Sequence, residues 1–419
     1  MSGQTPEIPE TSPPPAGWRR HVFYIPGYDP IHPRRYRELY RREGAGQAQI
    51  SGYGIDLKGR QGGETYGWEV TGHIEGAETR AGIEVLVWSD IVRDSMGHGI
   101  GATYLALART AWVYISTGAL FRLMRLRKGP VIAALYPVGF LLLQLALAVA
   151  LGWGGYTAAS QIGARLGAAL AGQGAGLALG LTLGWAVLTW FKARDGRFFA
   201  YYLMHDYAFS ARHRGANPPA LEDRLAAFRA RIAEALRSEV DEVLVVGHSS
   251  GAHLAVSILS DLIRAGEVPR PGPALSFLSL GQVVPMVSFL PEARRLRGDL
   301  AFLAARDELF WLDVTAPGDG CAFALCDPVS VSGVAPEGKR HPLVISAAFT
   351  QTLSPERWQQ LKRRFFRLHF QYLCAFDRPG DYDYFRITAG PLTLAQRFAG
   401  RTPSKSRIET PVNRCRTTS

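Results

Sequence analysis

Short, uninterrupted apolar runs separated by turn-forming residues recur along most of the chain. The clearest run occupies residues 243–246, within the sequence V-D-E-V-L-V-V-G-H-S-S-G of residues 240–251. Such a run is typical of a strand that is buried on both faces of a parallel sheet. The same pattern predicts further core strands at residues 21–25, 82–88, 274–281, 310–315 and 342–346. Edge strands of a meander are predicted at residues 49–57 and 68–74.

Helical periodicity alternates with these runs. Leu254, Ile258 and Leu262 stand four residues apart directly after the clearest run, which predicts a helix over residues 252–264. The other predicted helices span residues 34–43, 220–237, 291–306 and 357–367. Alternation of buried strands with helices predicts an α/β fold, in which helices flank a mostly parallel sheet.

The middle of the chain has a different character. Residues 130–153 and 166–191 contain no charged side chain, and each stretch, as a helix, exceeds the roughly 30 Å hydrocarbon core of a bilayer. A hairpin of two membrane-spanning helices is therefore predicted, with a buried hairpin of a soluble protein as the alternative. Small residues would let the second helix pack on the first, namely Gly167, Ala171, Gly174 and Ala178. The apolar, aromatic residues 102–124 are predicted to form an amphipathic helix in the membrane interface.

Basic residues stand at both outer ends of this hairpin, whereas its connection carries only Arg165. Those at the ends are Arg122, Arg125, Arg127, Lys128, Lys192, Arg194 and Arg197. By the positive-inside rule, both outer ends and the rest of the chain face the cytoplasm, as in a bacterial-type inner membrane. The composition, with 47% hydrophobic and 20% charged residues, agrees with membrane contact.

The net charge of +11 favours an anionic partner. No nucleic-acid-binding motif accompanies it, so an anionic lipid surface is predicted and nucleic acid is not. Four cysteines match no metal-ligand spacing and are too few for a disulfide framework, which suits a reducing compartment. They are Cys321, Cys326, Cys374 and Cys415.

These patterns divide the chain into five segments. The proline-rich residues 1–20 and the Ser/Thr/Arg-rich residues 401–419 are predicted to be disordered tails. Residues 21–100 and 205–400 are predicted to form one α/β domain. Residues 101–204 form an insertion between its two parts, which holds the interfacial helix and the hairpin.

A G-x-S-x-G motif follows the clearest strand and opens the helix behind it. Strand, sharp turn and helix are the context of a nucleophile elbow, so Ser249 is the predicted nucleophile. The elbow strains the backbone and requires small flanking residues, which Gly247 and Gly251 supply around His248.

An oxyanion hole is predicted from the turn after the first strand. This turn, Pro26-Gly27-Tyr28, comes before the elbow in the chain. In acyl-transfer enzymes with this layout, backbone N–H groups of the corresponding turn bind the oxygen that becomes negative during the reaction. The candidate donors are the amides of Gly27 or Tyr28 and of Ser250. An ordinary strand-to-helix turn is the alternative for Gly27 and Tyr28.

A serine hydroxyl needs a histidine to take its proton and a carboxylate to orient that histidine. In this layout the three residues follow the order Ser, Asp or Glu, His, which favours His369 as the base, with His341 as the alternative. Asp319, in the loop after the strand at 310–315, is the favoured acid, and Asp327 is the alternative.

The motif of residues 247–251, the early turn at Gly27, Asp319 after a strand and the late His369 together resemble the α/β-hydrolase superfamily. The G-H-S-x-G form is similar to that of many lipases and esterases, as is Ser279-Leu280-Gly281 on the next strand. The likeness covers residues 21–100 and 205–400. The hairpin departs from the usual pattern, in which insertions and lids follow a later strand.

The resemblance implies a membrane-anchored serine hydrolase without cofactor or metal, acting on a lipid or other apolar acyl ester. Acyltransferase or thioesterase chemistry would use the same residues. A non-catalytic hydrolase fold that serves as a membrane scaffold is the alternative of another class. The sequence does not indicate an oligomeric state.

Overall fold

The computed structural model describes residues 17–60, 65–97 and 99–418. Its strands form one eight-stranded sheet, with the bounds β1 (Trp18–Ile25), β2 (Gly54–Gly59), β3 (Gly67–Ile74), β4 (Ala77–Val85), β5 (Glu242–His248), β6 (Ala274–Leu280), β7 (Leu309–Thr315) and β8 (Leu343–Ser346). The spatial order is β2-β3-β4-β1-β5-β6-β7-β8. The meander of β2, β3 and β4 is antiparallel, and the strands from β4 through β1 to β8 run parallel.

Helices separate most of the strands and follow the last one. They are α1 (Arg34–Ser51), α2 (Ser89–Ser95), α3 (Ile100–Ser116), α4 (Ala119–Leu126), α5 (Lys128–Arg165), α6 (Ala169–Ala193), α7 (Asp195–Phe198), α8 (Ala200–Arg212), α9 (Pro219–Leu236), α10 (Gly251–Arg264), α11 (Val284–Ser288), α12 (Arg294–Ala304), α13 (Pro328–Val331), α14 (Phe349–Thr352), α15 (Pro355–Leu361), α16 (Phe365–His369), α17 (Tyr384–Ala389) and α18 (Leu394–Arg397). A 3-10 turn follows α16 at Gln371–Leu373. The helices α3 to α8 lie between β4 and β5 in the chain, and α8 crosses the segment boundary predicted at residue 204.

Both faces of the sheet are covered by helices, which confirms the predicted α/β fold with a mostly parallel sheet. One face packs against α9, α10 and α12 through residues such as Phe23 and Phe277. The other face packs against α1 and α15 to α17 through residues such as Val22 and Val246. All seven residues of β5 are buried, as expected for a strand covered on both sides.

A buried ion pair joins the two central strands. Arg20 of β1 lies in register with Glu242 of β5, their side chains are fully buried, and the nitrogen–oxygen distance is 2.6 Å. The other polar atoms of the pair are satisfied by the carbonyls of Gly390 and Leu392, the Ser276 hydroxyl and the Leu394 amide. The pair therefore fastens the segment after α17 to the middle of the sheet.

Replacing Glu242 by alanine leaves the Arg20 guanidinium charged and unpaired in the core. Removal of one partner of a buried pair costs about 3–5 kcal/mol of unfolding free energy, so a large drop in the melting temperature of the detergent-solubilised protein is expected. Glu239→Ala is the matched control, because that side chain is 97% exposed beside Arg19 and surface pairs contribute little. Equal losses in the two variants would contradict the role assigned to the buried pair.

The helices α5 and α6 are long and apolar enough to cross a membrane. The 25 residues of α6 alone rise about 38 Å, more than the roughly 30 Å hydrocarbon core. Only 28% and 11% of the most apolar windows of α5 and α6 are buried, and Trp153 and Leu181 are 66% and 67% exposed. An outward-facing apolar surface of this kind does not fit the alternative of a hairpin buried inside a soluble domain.

The small residues at the contact of α5 with α6 differ from those predicted. Gly172, Gly176 and Gly180 stand four residues apart on one face of α6 and lie directly against α5: a Cβ at Gly172 would come within 2.6 Å of the Gly163 Cα, and one at Gly180 within 2.6 Å of the Gly152 carbonyl oxygen. Of the predicted set, Gly167 lies in the turn before α6, and Ala171, Gly174 and Ala178 are exposed. The prediction was wrong because, at about 100° per residue, Ala171, Gly174 and Ala178 lie on the opposite side of α6 from the face that α5 covers.

Several predicted element bounds also differ. Residues 49–51, predicted as strand, extend α1, which tolerates Gly44 because that glycine packs on the Phe385 ring and ends at Gly52 with φ of 72°. The predicted strand at 82–88 runs instead over Ala77–Val85. The helix predicted at 102–124 is divided at Gly118, with φ of 69°.

The helix predicted at 357–367 is divided into α15 and α16 by residues 362–364. Leu361 of α15 and Leu368 of α16 both reach the core, where they are 7% and 0% exposed.

The two predicted tails have different outcomes. Residues 1–16 lie outside the described residues, and β1 already begins at Trp18. Residues 401–418 form no helix but are not a free tail, because Asn413 is buried and its side chain donates to the Ser288 carbonyl. The Thr417 carbonyl also accepts a hydrogen bond from the buried Arg297. The disorder predicted for this segment is therefore wrong.

Candidate active site

Ser249 occupies a strained turn between β5 and α10. Its φ is +56°, a left-handed conformation that is unfavourable for a residue with a Cβ. The flanking glycines are required by the packing: a Cβ at Gly251 would lie 2.1 Å from the Ile25 carbonyl oxygen, and one at Gly247 would lie 2.7 Å from the Ala252 Cα. The Ser249 amide donates to the Leu280 carbonyl, which ties the turn to β6. This is the geometry expected of a nucleophile elbow.

The turn after β1 lies directly against Ser249. A Cβ at Gly27 would come within 3.0 Å of the Ser249 Cβ and 3.4 Å of its Oγ. Hydrogen bonds to its backbone carbonyls fix the turn in place. Trp88 Nε1 donates to the Pro26 oxygen at 3.0 Å, and the Tyr202 hydroxyl donates to the Tyr28 oxygen.

Three backbone N–H groups next to Ser249 are free to bind a substrate oxygen. Among the described residues, the amides of Gly27, Tyr28 and Ser250 donate no hydrogen bond. Unpaired amides beside a nucleophile are the donors that an oxyanion hole requires.

His369 and Asp319 form a buried hydrogen-bonded pair. Nδ1 of His369 lies 2.7 Å from Oδ2 of Asp319. Asp319 also accepts from the Tyr372 hydroxyl at 3.0 Å and the Cys321 amide at 2.8 Å. Burial alone would raise the pKa of Asp319, but the His369 ring and these hydrogen bonds hold it below its usual value. The carboxylate therefore stays ionised and accepts a hydrogen bond from Nδ1 of His369, so Nε2 is the ring nitrogen that faces away from Asp319 and is left to take a proton.

Local structure accounts for the position of both members of the pair. Asp319 follows the C-terminal end of β7, in the tight turn closed by its amide and the Ala316 carbonyl. His369 ends α16, and its backbone oxygen lies 3.0 Å from Nε2 of His248 in the elbow. Burial lowers the pKa of His248 to about 3, so this ring is neutral and acts as a donor. His248 thus connects the nucleophile turn to the segment that carries the base.

Ser249, His369 and the predicted oxyanion donors line one cavity of about 1070 Å³. Within the described part of the chain, the Ser249 hydroxyl makes no hydrogen bond, including none to His369. Such contacts are often long without substrate and shorten in the complex. The structure therefore places the predicted nucleophile and base in a common cavity, with Asp319 hydrogen-bonded behind the base.

The two alternative residues lie elsewhere. Asp327 caps the N-terminus of α13, accepting from the Val329 and Ser330 amides, and it pairs with Lys339. His341 precedes β8, at the opposite end of the parallel strands from Ser249, and its Nδ1 lies 3.5 Å from the Trp311 amide. Neither lines the cavity that contains Ser249.

Asp206 of α8 also lines this cavity, and no sequence pattern marked it. Its carboxyl makes no hydrogen bond or ion pair within the described residues. Burial raises the pKa of Asp206 from 3.8 to about 7, and His369 opposes this rise. The sequence gives no pattern that marks Asp206 as a cavity residue, because the packing of α8 against α3 and α5 is what brings it there.

Asp206→Asn is expected to remove a pH-dependent loss of stability. Between about pH 4 and pH 7 the unfolded chain releases a proton that folded Asp206 retains, so the wild type loses stability as pH rises through this window. The melting temperature of the variant should therefore rise relative to the wild type from pH 4 to pH 7 and level off above it. Thermal unfolding of the full chain in detergent measures this, and a constant difference across the range would contradict it.

Asp319, Cys321 and His369 also offer three ligand atoms within 4.8 Å of one another. Burial raises the pKa of the Cys321 thiol well above its usual value, and a metal ligand must be a thiolate. The other two residues are already hydrogen-bonded to each other. The arrangement suits an acid–base pair better than a metal site.

Comparisons with known protein families, with curated proteins and with solved structures find no match for this chain. The geometry on its own combines a strained serine, a buried His–Asp pair, free amides and a large cavity. These are the groups that nucleophilic attack on an acyl carbonyl requires.

Proposed function

We propose that this chain is a membrane-anchored serine hydrolase of the α/β-hydrolase fold, which cleaves a lipid or other apolar acyl ester. The observation that carries the proposal is the positive φ of Ser249 in a cavity shared with the His369–Asp319 pair. Backbone strain of about 1–3 kcal/mol persists where the surroundings enforce it, and it clusters at active sites. The strain argues against the non-catalytic scaffold, which would need no serine in this conformation.

The reaction proceeds in two halves. The Ser249 oxygen attacks the acyl carbonyl carbon while Nε2 of His369 takes the hydroxyl proton, and the carbonyl oxygen becomes negative against the amides of Ser250 and of Gly27 or Tyr28. His369 then gives the proton to the departing alcohol, which leaves an acyl ester on Ser249. Water attacks that ester by the same steps and releases the acid. Asp319 keeps the His369 ring in the required tautomer throughout.

The membrane anchor is the hairpin of α5 and α6. Basic side chains at its outer ends and the single Arg165 in its connection favour a cytoplasmic catalytic domain on a bacterial-type inner membrane. An anchored enzyme meets amphiphilic substrates at the membrane surface, which supports a lipid or apolar ester over a soluble polar one. A thioesterase or an acyltransferase would use the same serine, base and acid, since only the leaving group or the acceptor changes.

Covalent labelling of the full chain in detergent with a fluorophosphonate probe tests the proposal. The probe phosphorylates serines that a neighbouring base activates, so mass spectrometry should find the adduct on Ser249. Absence of any adduct on the wild-type protein would refute a serine hydrolase.

A further inference from the structure

Three arginines without carboxylate partners border the cavity of Ser249. Arg357 of α15, Arg364 just before α16 and Arg367 of α16 are exposed cavity-lining residues that form no ion pair among the described residues. The other cavity-lining arginines are compensated, since Arg35 pairs with Asp29, Arg41 with Glu38 and Arg42 with Glu43. Asp195 and Asp206 also line the cavity without an ion pair among the described residues, but both are less exposed than these three arginines. The exposed rim formed by Arg357, Arg364 and Arg367, here called the mouth of the cavity, therefore carries unpaired positive charge.

The mouth lies at the base of the apolar hairpin. Pro130, in the first turn of α5, and Gly196, just after α6, line the same cavity. The rings of Phe199 and Phe366 lie 5.2 Å apart across this edge, and Phe365 is 55% exposed beside them. Exposed aromatic rings among basic side chains are typical of a surface at the membrane interface.

The interior of the cavity has the opposite character. Tyr114, Leu203 and Val287 line it as buried residues, and the half-buried Met286 lines it as well. An apolar chain would lose contact with water there, and the free energy gained grows with the apolar area that it buries. Cationic mouth and apolar interior together fit a molecule with one charged and one apolar end.

We propose that the substrate is an anionic amphiphile, an acyl ester that carries a phosphate or carboxylate group. Its negative group pairs with Arg357, Arg364 and Arg367 at the mouth, and its acyl chain lies in the cavity with the ester at Ser249. Arginine suits this task because its planar guanidinium donates two parallel hydrogen bonds to an oxyanion. The inference rests on the proposed function and specifies the substrate class of that site.

The test compares two esters with the same acyl chain, 4-nitrophenyl butyrate and its ring-carboxylated analogue 3-carboxy-4-nitrophenyl butyrate. Full-length wild type and the triple variant Arg357→Gln, Arg364→Gln, Arg367→Gln are assayed in neutral detergent. The KM for the carboxylated ester is expected to rise about tenfold in the triple variant. The KM for the neutral ester should stay within about twofold, because that substrate has no charge to pair.

The double variant Lys362→Gln, Arg363→Gln is the matched control. It removes two neighbouring cations that do not line the cavity, so neither KM should change. Hydrolysis of both esters with equal kcat/KM in the wild type, or equal changes in the triple variant, would overturn the inference while leaving the serine hydrolase intact.

A second arm adds phosphatidylglycerol to the detergent micelles. If the arginines only attract the protein to an anionic surface, the triple variant loses activation of neutral-ester hydrolysis by these micelles and keeps its KM for the carboxylated ester. That result would also overturn the inference. Hydrolysis of neither ester, with no fluorophosphonate adduct on Ser249, would instead reject the proposed function and this inference with it.

Discussion

Ser249→Ala is expected to abolish fluorophosphonate labelling and to lower kcat for ester hydrolysis by about 10⁴- to 10⁶-fold. Alanine retains the Cβ and the backbone of the elbow but removes the hydroxyl that would form the acyl-enzyme of the proposed mechanism. Loss of the nucleophile in a serine enzyme is as costly as loss of the whole triad, because the other members act only through it. What remains is stabilisation by the free amides and by binding.

Ser210→Ala is the matched control for that experiment. Ser210 also lines the cavity, but it lies within α8 and, among the described residues, makes no hydrogen bond to His369 or Asp319. Its replacement should leave both labelling and kcat unchanged within about twofold. Labelling that persists in Ser249→Ala and disappears in Ser210→Ala would move the nucleophile to α8 and contradict the proposed site.

Asp319→Asn is expected to lower kcat by about 10⁴-fold with little change in KM. The amide has the same shape as the carboxylate and still fits beside Tyr372 and the Cys321 amide. It carries no charge to stabilise the His369 imidazolium, and its NH₂ group favours the tautomer with the proton on Nε2. A ring in that tautomer cannot accept the Ser249 proton, so steady-state kinetics on a soluble ester should show the loss in kcat.

Asp327→Asn distinguishes this role from that of the alternative acid. Asp327 caps α13 and pairs with Lys339, so its replacement should lower the melting temperature and leave kcat of the folded enzyme within about twofold. The opposite pattern, with kcat lost in Asp327→Asn and retained in Asp319→Asn, would exchange the two roles.

Local sequence patterns were sufficient to predict a structural feature where the residues that form the feature are also the residues that cause it. β5 is predictable because its burial on both faces requires a continuous apolar run, and the strained turn at Ser249 is predictable because Gly247 and Gly251 leave room for it. The length and apolarity of α5 and α6 follow from composition for the same reason. Each feature depends on residues within a few positions of one another.

Long-range packing decided the rest. The sequence ordered an acid and a base after Ser249, but the 2.7 Å contact between Asp319 and His369 joins residues 50 positions apart. Gly44, within the α1 helix, packs against the ring of Phe385, more than 300 residues away in the chain. The burial of Asn413 likewise depends on α11, so the composition of that segment predicted disorder.

By itself, the sequence determined an α/β chain with a mostly parallel sheet, an apolar hairpin and a serine in a G-x-S-x-G turn, because periodicity and turn chemistry are local. The tertiary structure alone decided which glycines pack α5 on α6 and which carboxylate supports His369. It also brought Asp206 into the cavity and left three arginines unpaired at its mouth. Such properties depend on which distant segments of the chain pack together. A local sequence pattern does not show which side chains that packing buries or which charges it leaves unpaired.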